Sequence, residues 1–219
     1  MKVRKIYVSW RKGRGDRRLL IGVIERTVQE GITFHYIKEN VELAKNEGFK
    51  DYPGFPIEFD KKYQENNLDI FGLRLLPSDR PDYKKYLDFW EARDVKDKFA
   101  LLALTQGILP TDNFEFLGFY NPDKKIKFVT DICGLTYLEL PKNTVLPGDR
   151  LVYEREQSEH AYEKTAIKVF KGNNHIGYIK NIHNHPFLKS KNPLKLTVKS
   201  IDQNGMIRQI FVLVEYSRF

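Results

Sequence analysis

With 219 residues, 41% of them hydrophobic, the chain can hold one large domain or two small ones and has enough apolar side chains for a packed core, which sets aside wholesale disorder. Cys133 is the single cysteine, so an intrachain disulfide framework and a cysteine-based zinc site are excluded. A net charge of +8 raises the expectation of a phosphate-bearing partner, and the excess is denser after residue 125, where 14 Lys and Arg stand against 9 Asp and Glu. Met1 to Lys5 leads straight into an alternating segment without a signal-type apolar region, and no apolar run reaches the roughly 20 residues of a membrane span. A reduced, cytoplasmic protein with no membrane partner is the expectation.

Lys5 to Trp10 alternates as a strand, Arg11-Lys12-Gly13-Arg14-Gly15-Asp16 is a polar turn, and Leu19 to Glu25 is the returning strand. The Arg-Gly-Asp tripeptide in that turn reads as coincidence. Ile32 to Tyr36 is a further strand, and Lys38 to Asn46 has helical spacing and stops before Gly48. Tyr52-Pro53-Gly54-Phe55-Pro56 is a rigid loop. The spacing predicts a helix over 68–76 stopped by Pro77, and a second capped by Asp79 and reaching Arg93, with Tyr83, Tyr86, Leu87 and Trp90 as its buried stripe. Lys98 to Gln106 is another helix, closed by Gly107. Phe114 to Phe119 and Lys125 to Phe128 read as a hairpin around Asn121-Pro122-Asp123.

Beyond that point the texture is β. Leu151 to Arg155, Thr165 to Phe170 and His175 to Lys180 are strands, and Leu194 to Ile201 with Ile207 to Tyr216 make a hairpin turned by Asn204-Gly205. The expected fold class is an α+β N-terminal domain, 1–122, followed by an all-β small barrel, 123–219.

Three stretches carry the most information: Gly148-Asp149-Arg150-Leu151-Val152-Tyr153-Glu154-Arg155-Glu156, then Ala161-Tyr162-Glu163-Lys164-Thr165-Ala166-Ile167-Lys168-Val169, then Ile176-Gly177-Tyr178-Ile179, with Gly134-Leu135-Thr136-Tyr137 upstream. Their order and spacing resemble the HIRAN domain over roughly 126–219. The resemblance implies a small oligonucleotide-binding barrel of HIRAN/OB-like type, in which tyrosines stack bases and a loop acid accepts a DNA 3′-hydroxyl. On this sequence Tyr137 and Tyr162 are then the stacking residues, Glu163 holds the acid's place, and Tyr178 and Lys180 line the groove. Arg155 and Lys168 are the neighbouring basic candidates. Packing within the barrel is an equal alternative for Tyr162 and Tyr178, and pairing with an acid for Arg155. The loop from Arg155 to Glu163 is one residue longer than the family's, His160-Ala161 replaces its Asn-Pro, and Glu163 replaces its Asp. General single-strand affinity is therefore the firmer expectation, and capture of a 3′ end the weaker.

Residues 5–119 resemble, more distantly, the N-terminal domain of HipA-type kinases, through Gly22-Val23, Phe34-x-Tyr36, Leu75-Leu76-Pro77-Ser78-Asp79, and Leu101, Leu102 and Leu104 before Gly107. That resemblance implies docking to a HipA-type kinase or a helix-turn-helix protein, a partner familiar from toxin-antitoxin systems. The kinase core itself is missing: after residue 120 there is no Gly-rich loop and no Asp…Asn pair before a metal-binding Asp. His183-Asn184-His185, with His160 and His175, reads as surface histidines rather than a metal site, and Cys133 sits in a strand with no activating neighbour. The sequence thus points to a non-catalytic, cofactor-free nucleic-acid-binding protein, with a protein-docking regulatory subunit as the alternative.

Overall fold

Lys5 and Glu25 face one another across the first antiparallel ladder, joined by an ion pair of 2.5 Å. They belong to β1 (Lys5–Trp10) and β2 (Leu19–Thr27), which continue into β3 (Gly31–Tyr36). The computed structural model describes residues 3–13, 15–64, 67–122, 126–157 and 165–216. It divides into two compact units, Lys2–Phe119 and Tyr120–Phe219. No helix among the described residues is long and apolar enough to cross a membrane.

The first unit is a four-stranded antiparallel sheet of order β3-β2-β1-β4, where β4 is Phe114–Gly118. Four helices accompany it: α1 (Lys38–Asn46), α2 (Asn67–Gly72), α3 (Tyr83–Phe89) and α4 (Lys98–Thr105). Alternation places Ile6 and Val8 of β1 and Ile24 of β2 on the same buried face. Over them lies an aromatic core of Phe34, Tyr52, Phe55, Phe71 and Phe116, with Phe55 and Phe71 stacked 4.9 Å apart. Tyr36 ties the 52–56 loop to this core: its hydroxyl donates to the Phe55 carbonyl (2.6 Å) and accepts from the Tyr52 amide (2.9 Å). Burial holds that phenol far above its ordinary pKa, so it stays a donor. Asp97 caps α4 by accepting from the amides of Phe99 and Ala100, and Arg26 grips the same carboxylate through two bonds of 2.7 and 2.8 Å.

Two helices are shorter than their spacing predicts. α2 ends at Gly72 because the chain tightens into three-residue turns, Leu73 to Ile70 and Arg74 to Phe71. Those turns aim Arg74 inward, where it donates to the Gly107 carbonyl (2.8 Å) and holds Asp112 with two bonds of 2.8 and 2.7 Å. α3 starts only at Tyr83 and ends where Glu91 enters the left-handed region, with the Ala92 amide returning to the Leu87 carbonyl at 2.8 Å. Within the predicted stripe Leu87 and Trp90 are buried. The predicted hairpin of 114–128 does not form. β4 pairs with β1, and the strand that follows belongs to the other unit and other partners.

The second unit is a closed six-stranded antiparallel barrel, order β10-β5-β8-β7-β6-β9. Its strands are β5 (Lys127–Cys133), β6 (Arg150–Arg155), β7 (Ile167–Lys171), β8 (Asn174–Ile179), β9 (Leu194–Asn204) and β10 (Met206–Tyr216). Two short helices, α5 (Leu135–Leu138) and α6 (His185–Lys189), complete it; neither shows in the sequence's periodicity. Leu194, Leu196 and Val198 of β9 and Ile210, Val212 and Val214 of β10 fill the interior by alternation, each fully buried aliphatic side chain contributing about 1.5–3 kcal/mol. β9 turns into β10 at Gly205, whose φ is 78°; Asn204 stays in the ladder opposite Met206 without a positive φ, so the two-residue turn that an Asn-Gly pair favours does not form. Tyr120 lies under the barrel's side chains at 1% exposure, 4.4 Å from the Phe128 ring and stacked on His183 at 5.3 Å. His183 is therefore no surface histidine: it is fully buried, and its Nδ1 meets Thr130 Oγ1 at 2.8 Å.

Candidate nucleic-acid interface

Residues directly opposite one another in a ladder point to the same face of the sheet. The register Glu154↔Lys168, Lys168↔Tyr178 and Cys133↔Tyr178 therefore lays four residues in one row across β6, β7, β8 and β5. All four are exposed or half-buried, so the row lies on the outer face of the barrel. Lys168 is held there by Glu156 (2.8 Å), whose carboxylate raises the lysine's pKa and keeps it charged.

The strand β8 is not regular. Its pairing with β7 shifts between Val169 and Phe170, so three residues of β7 span the four from His175 to Tyr178. Gly177 makes this bulge possible: its φ of 126° is open to glycine alone, and a Cβ there would lie 2.4 Å from the Cys133 carbonyl oxygen. The consequence is topological. His175 and Tyr178, three apart, would face opposite ways in a regular strand; here both lie on the outer face while Ile176 and Gly177 are buried. The imidazole of His175 sits edge-on to Tyr178 at 4.9 Å and 5.4 Å from Phe170, and its Nε2 lies 3.1 Å from the Gly177 carbonyl. Phe170, His175 and Tyr178 form a strip of three rings. Sequence reasoning named only Tyr178. The signals for the other two were alternation along β7 beyond Lys168 and a glycine inside a strand pattern.

Tyr137 lies on the α5 turn, which packs against β8 and β10. Gly134, at φ 85°, ends β5 and starts the α5 turn next to the Tyr178 ring, where a Cβ would sit in ordinary contact with Cδ2 at 3.5 Å, so it is the positive φ that favours glycine here. Leu135 anchors the turn by burial, and the Tyr137 ring is left 83% exposed. A ring so exposed holds nothing in the fold together, whereas Tyr178 is half-buried and packs edge-on to His175.

The remaining sequence candidates fall elsewhere. Arg155 is exposed, but it pairs with Ile167, whose side chain points inward, so it is out of the row that holds Lys168 and Tyr178. Lys180 corrects an expectation: β8 ends at Ile179, and Lys180 turns in to 1% exposure and an ion pair with Asp131, which removes it from any groove. Tyr162 and Glu163 lie outside the described residues, as does His160. Among the described residues no cluster of His, Cys, Asp and Glu could hold a metal ion.

Several of the barrel's cations are met by its own acids. Besides Lys168, Lys171 holds Asp149 at 2.6 Å and Lys195 holds Glu215 at 3.3 Å. The outer face of β7 and β8 is thus aromatic more than basic, a surface suited to flat, uncharged faces.

No family model matches the chain, and no curated protein matches it. Two solved structures are similar to part of the chain. A structural-genomics crystal structure of a protein from Lactobacillus plantarum is 21% identical, over 42% of this chain and 95% of that one, with a TM-score of 0.33. The HIRAN domain of human HLTF is 18% identical, over 40% of this chain and 74% of that one, with a TM-score of 0.32.

Proposed function

We propose that this chain is a non-catalytic nucleic-acid-binding protein whose Tyr120–Phe219 barrel, of HIRAN-like type, holds single-stranded DNA on the outer face of β7 and β8. The observation that carries the reading is the Tyr137 ring, 83% exposed on the α5 turn that packs against β8, the strand that carries His175 and Tyr178 of the aromatic strip. Stacking of a base on an aromatic face is worth about 1–3 kcal/mol and accepts any base, but it needs a base already out of a duplex. Supporting it are the ordered motifs Gly134-Leu135-Thr136-Tyr137, Ala166-Ile167-Lys168-Val169 and Ile176-Gly177-Tyr178-Ile179, which sit on α5, β7 and β8 around that surface. Lys168 is placed to meet a phosphate if Glu156 yields it.

The test is fluorescence anisotropy with a labelled single strand and its blunt duplex at several salt concentrations, on wild type and Tyr137→Ala/Tyr178→Ala. Wild type is expected to prefer the strand, and the variant to lose on the order of 2 kcal/mol on the strand with little change in salt slope. A wild type without strand preference, matched by the variant, would overturn the reading and favour protein docking through the first unit.

A further inference from the structure

Two lysines of β7 are held by the same arrangement. Glu156, just past the end of β6, divides its carboxylate: one oxygen accepts from the Gln157 amide at 3.0 Å, and the other meets Lys168 Nζ at 2.8 Å. Asp149, just before β6, places one oxygen on the Leu146 amide at 2.8 Å and the other on Lys171 Nζ at 2.6 Å. Each acid is thus fixed by backbone and aimed at its lysine. Lys171 holds the Asp149 carboxyl below its ordinary pKa, so this acid stays charged near neutral pH.

The first pair adjoins the aromatic strip. Lys168 stands directly opposite Tyr178 on the outer face, where such neighbours have Cβ atoms about 4.5–5.5 Å apart. Its ammonium is within reach of a phosphate next to a base stacked on that ring. Opposite Lys168 on its other side, Glu154 adds an exposed carboxylate to the same row. The Glu156 side chain is only 9% exposed, so losing its lysine would leave a poorly hydrated charge uncompensated. A ligand that takes Lys168 must therefore outcompete Glu156, not only water.

We infer that Glu156 and Asp149 are specificity-determining residues: by withholding Lys168 and Lys171 they deny phosphate contacts to ligands that cannot stack, and so set single strand apart from duplex. The inference rests on the strand-binding reading above and names the residues that enforce it. A strand stacked on Tyr178 holds its phosphates near Lys168 at high effective concentration and can draw the lysine from Glu156. A duplex has no free base for the ring, so it meets a lysine already neutralised. Selectivity then comes from rejecting the wrong ligand as much as from gripping the right one. Lys171, the residue after Phe170, is restrained in the same way.

The experiment measures anisotropy of the full chain with a labelled strand and its blunt duplex, from low to moderate salt. It compares wild type, Glu156→Gln, Asp149→Asn, Glu156→Gln/Lys168→Gln, Asp149→Asn/Lys171→Gln and the control Glu42→Gln, which removes one exposed acid of α1. The new amides can still accept from Gln157 and Leu146, and melting curves check each fold. Glu156→Gln and Asp149→Asn are each expected to steepen the duplex salt slope by about 0.9, the value of one phosphate contact, and to raise duplex affinity at low salt about threefold or more. The strand should gain less, so its advantage narrows. Each gain should vanish when the freed lysine is also replaced. If one of the two single variants melts early, the other carries the test. The inference falls if the folded variants bind duplex as wild type does, if the strand gains as much, if the gain survives loss of the lysine, or if Glu42→Gln matches it. A wild type without strand preference overturns the strand-binding reading and this inference with it. A wild type that keeps its preference while the variants leave it unaltered overturns the inference alone.

Discussion

Lys180 and Asp131 form an ion pair inside the second unit, with side-chain exposures of 1% and 6%. Neither charge reaches bulk water, so their mutual attraction and the surrounding hydrogen bonds must offset the desolvation of both. Asp131→Ala, which strands the ammonium, is expected to cost about 3–5 kcal/mol in urea unfolding. Asp131→Leu combined with Lys180→Met should cost far less, because no charge is left buried. Nucleic-acid affinity of the folded double variant should match wild type; a specific loss there would return Lys180 to the interface.

Gly177→Ala is expected to cost about 3 kcal/mol or more, from a backbone angle closed to alanine and a methyl group driven against the Cys133 carbonyl. If the barrel survives by straightening β8, His175 and Tyr178 can no longer share a face. The variant that still folds should then bind strands less well while keeping its binding to duplex. Circular dichroism and anisotropy on one preparation check both halves.

A fragment starting at Tyr120 should fold alone, whereas one starting at residue 126 should be destabilised by about 3–5 kcal/mol, the cost of deleting a fully buried aromatic ring. Tyr120 fills the space beside Phe128 and His183, and without it that space is a cavity. Amide NMR spectra and denaturant midpoints of the two fragments test this. Equal midpoints would mean that the ring contributes nothing.

His35 and His185 are both held below the ordinary histidine pKa near 6.5, chiefly because burial disfavours their charged forms. For each, the unfolded chain binds the proton more readily than the folded one. Their stabilising effect is complete above about pH 6.5 and is lost as the pH falls toward the lowered folded value. Unfolding midpoints should therefore drop between pH 7.5 and 5.5. His35→Gln should blunt the drop in the first unit and His185→Gln in the second. A drop of the same size in the double variant would place its origin elsewhere.

The sequence made legible what depends on neighbours along the chain. Lys38–Asn46 and the return of β9 into β10 at Gly205 follow from spacing and turn chemistry, which act between neighbours along the chain. Where a distant partner wins, local reading fails. Phe114–Gly118 and Lys127–Cys133 look like two arms of a hairpin, yet their partners are strands beginning at Lys5 and Met206. The helix from 68 stops early because Arg74 must turn inward to Asp112, a partner 38 residues on. Of the surface proposed to bind, Tyr137, Lys168 and Tyr178 were readable from ordered motifs. His175 and Phe170 were not, since a bulge that shifts register by one residue changes which face a side chain occupies. Lys180 and His183 were misplaced for a related reason: polarity in a sequence argues for the surface until a buried partner is known, here Asp131 and Thr130.

Closure of the barrel also sets a timetable for its birth. β5 is the first of its strands to be synthesised and β10 the last, and they must pair, Asp131 against Phe211 and Phe128 against Val214. While a ribosome is still adding the residues between them, β5 lacks this neighbour and its apolar residues have no finished interior to enter. Contacts so far apart along the chain make folding slow, because a long loop must close before they contribute. The nascent second unit is thus open until β10 emerges, and exposed strand edges in that interval are where chaperones, or other unfinished copies, would find it.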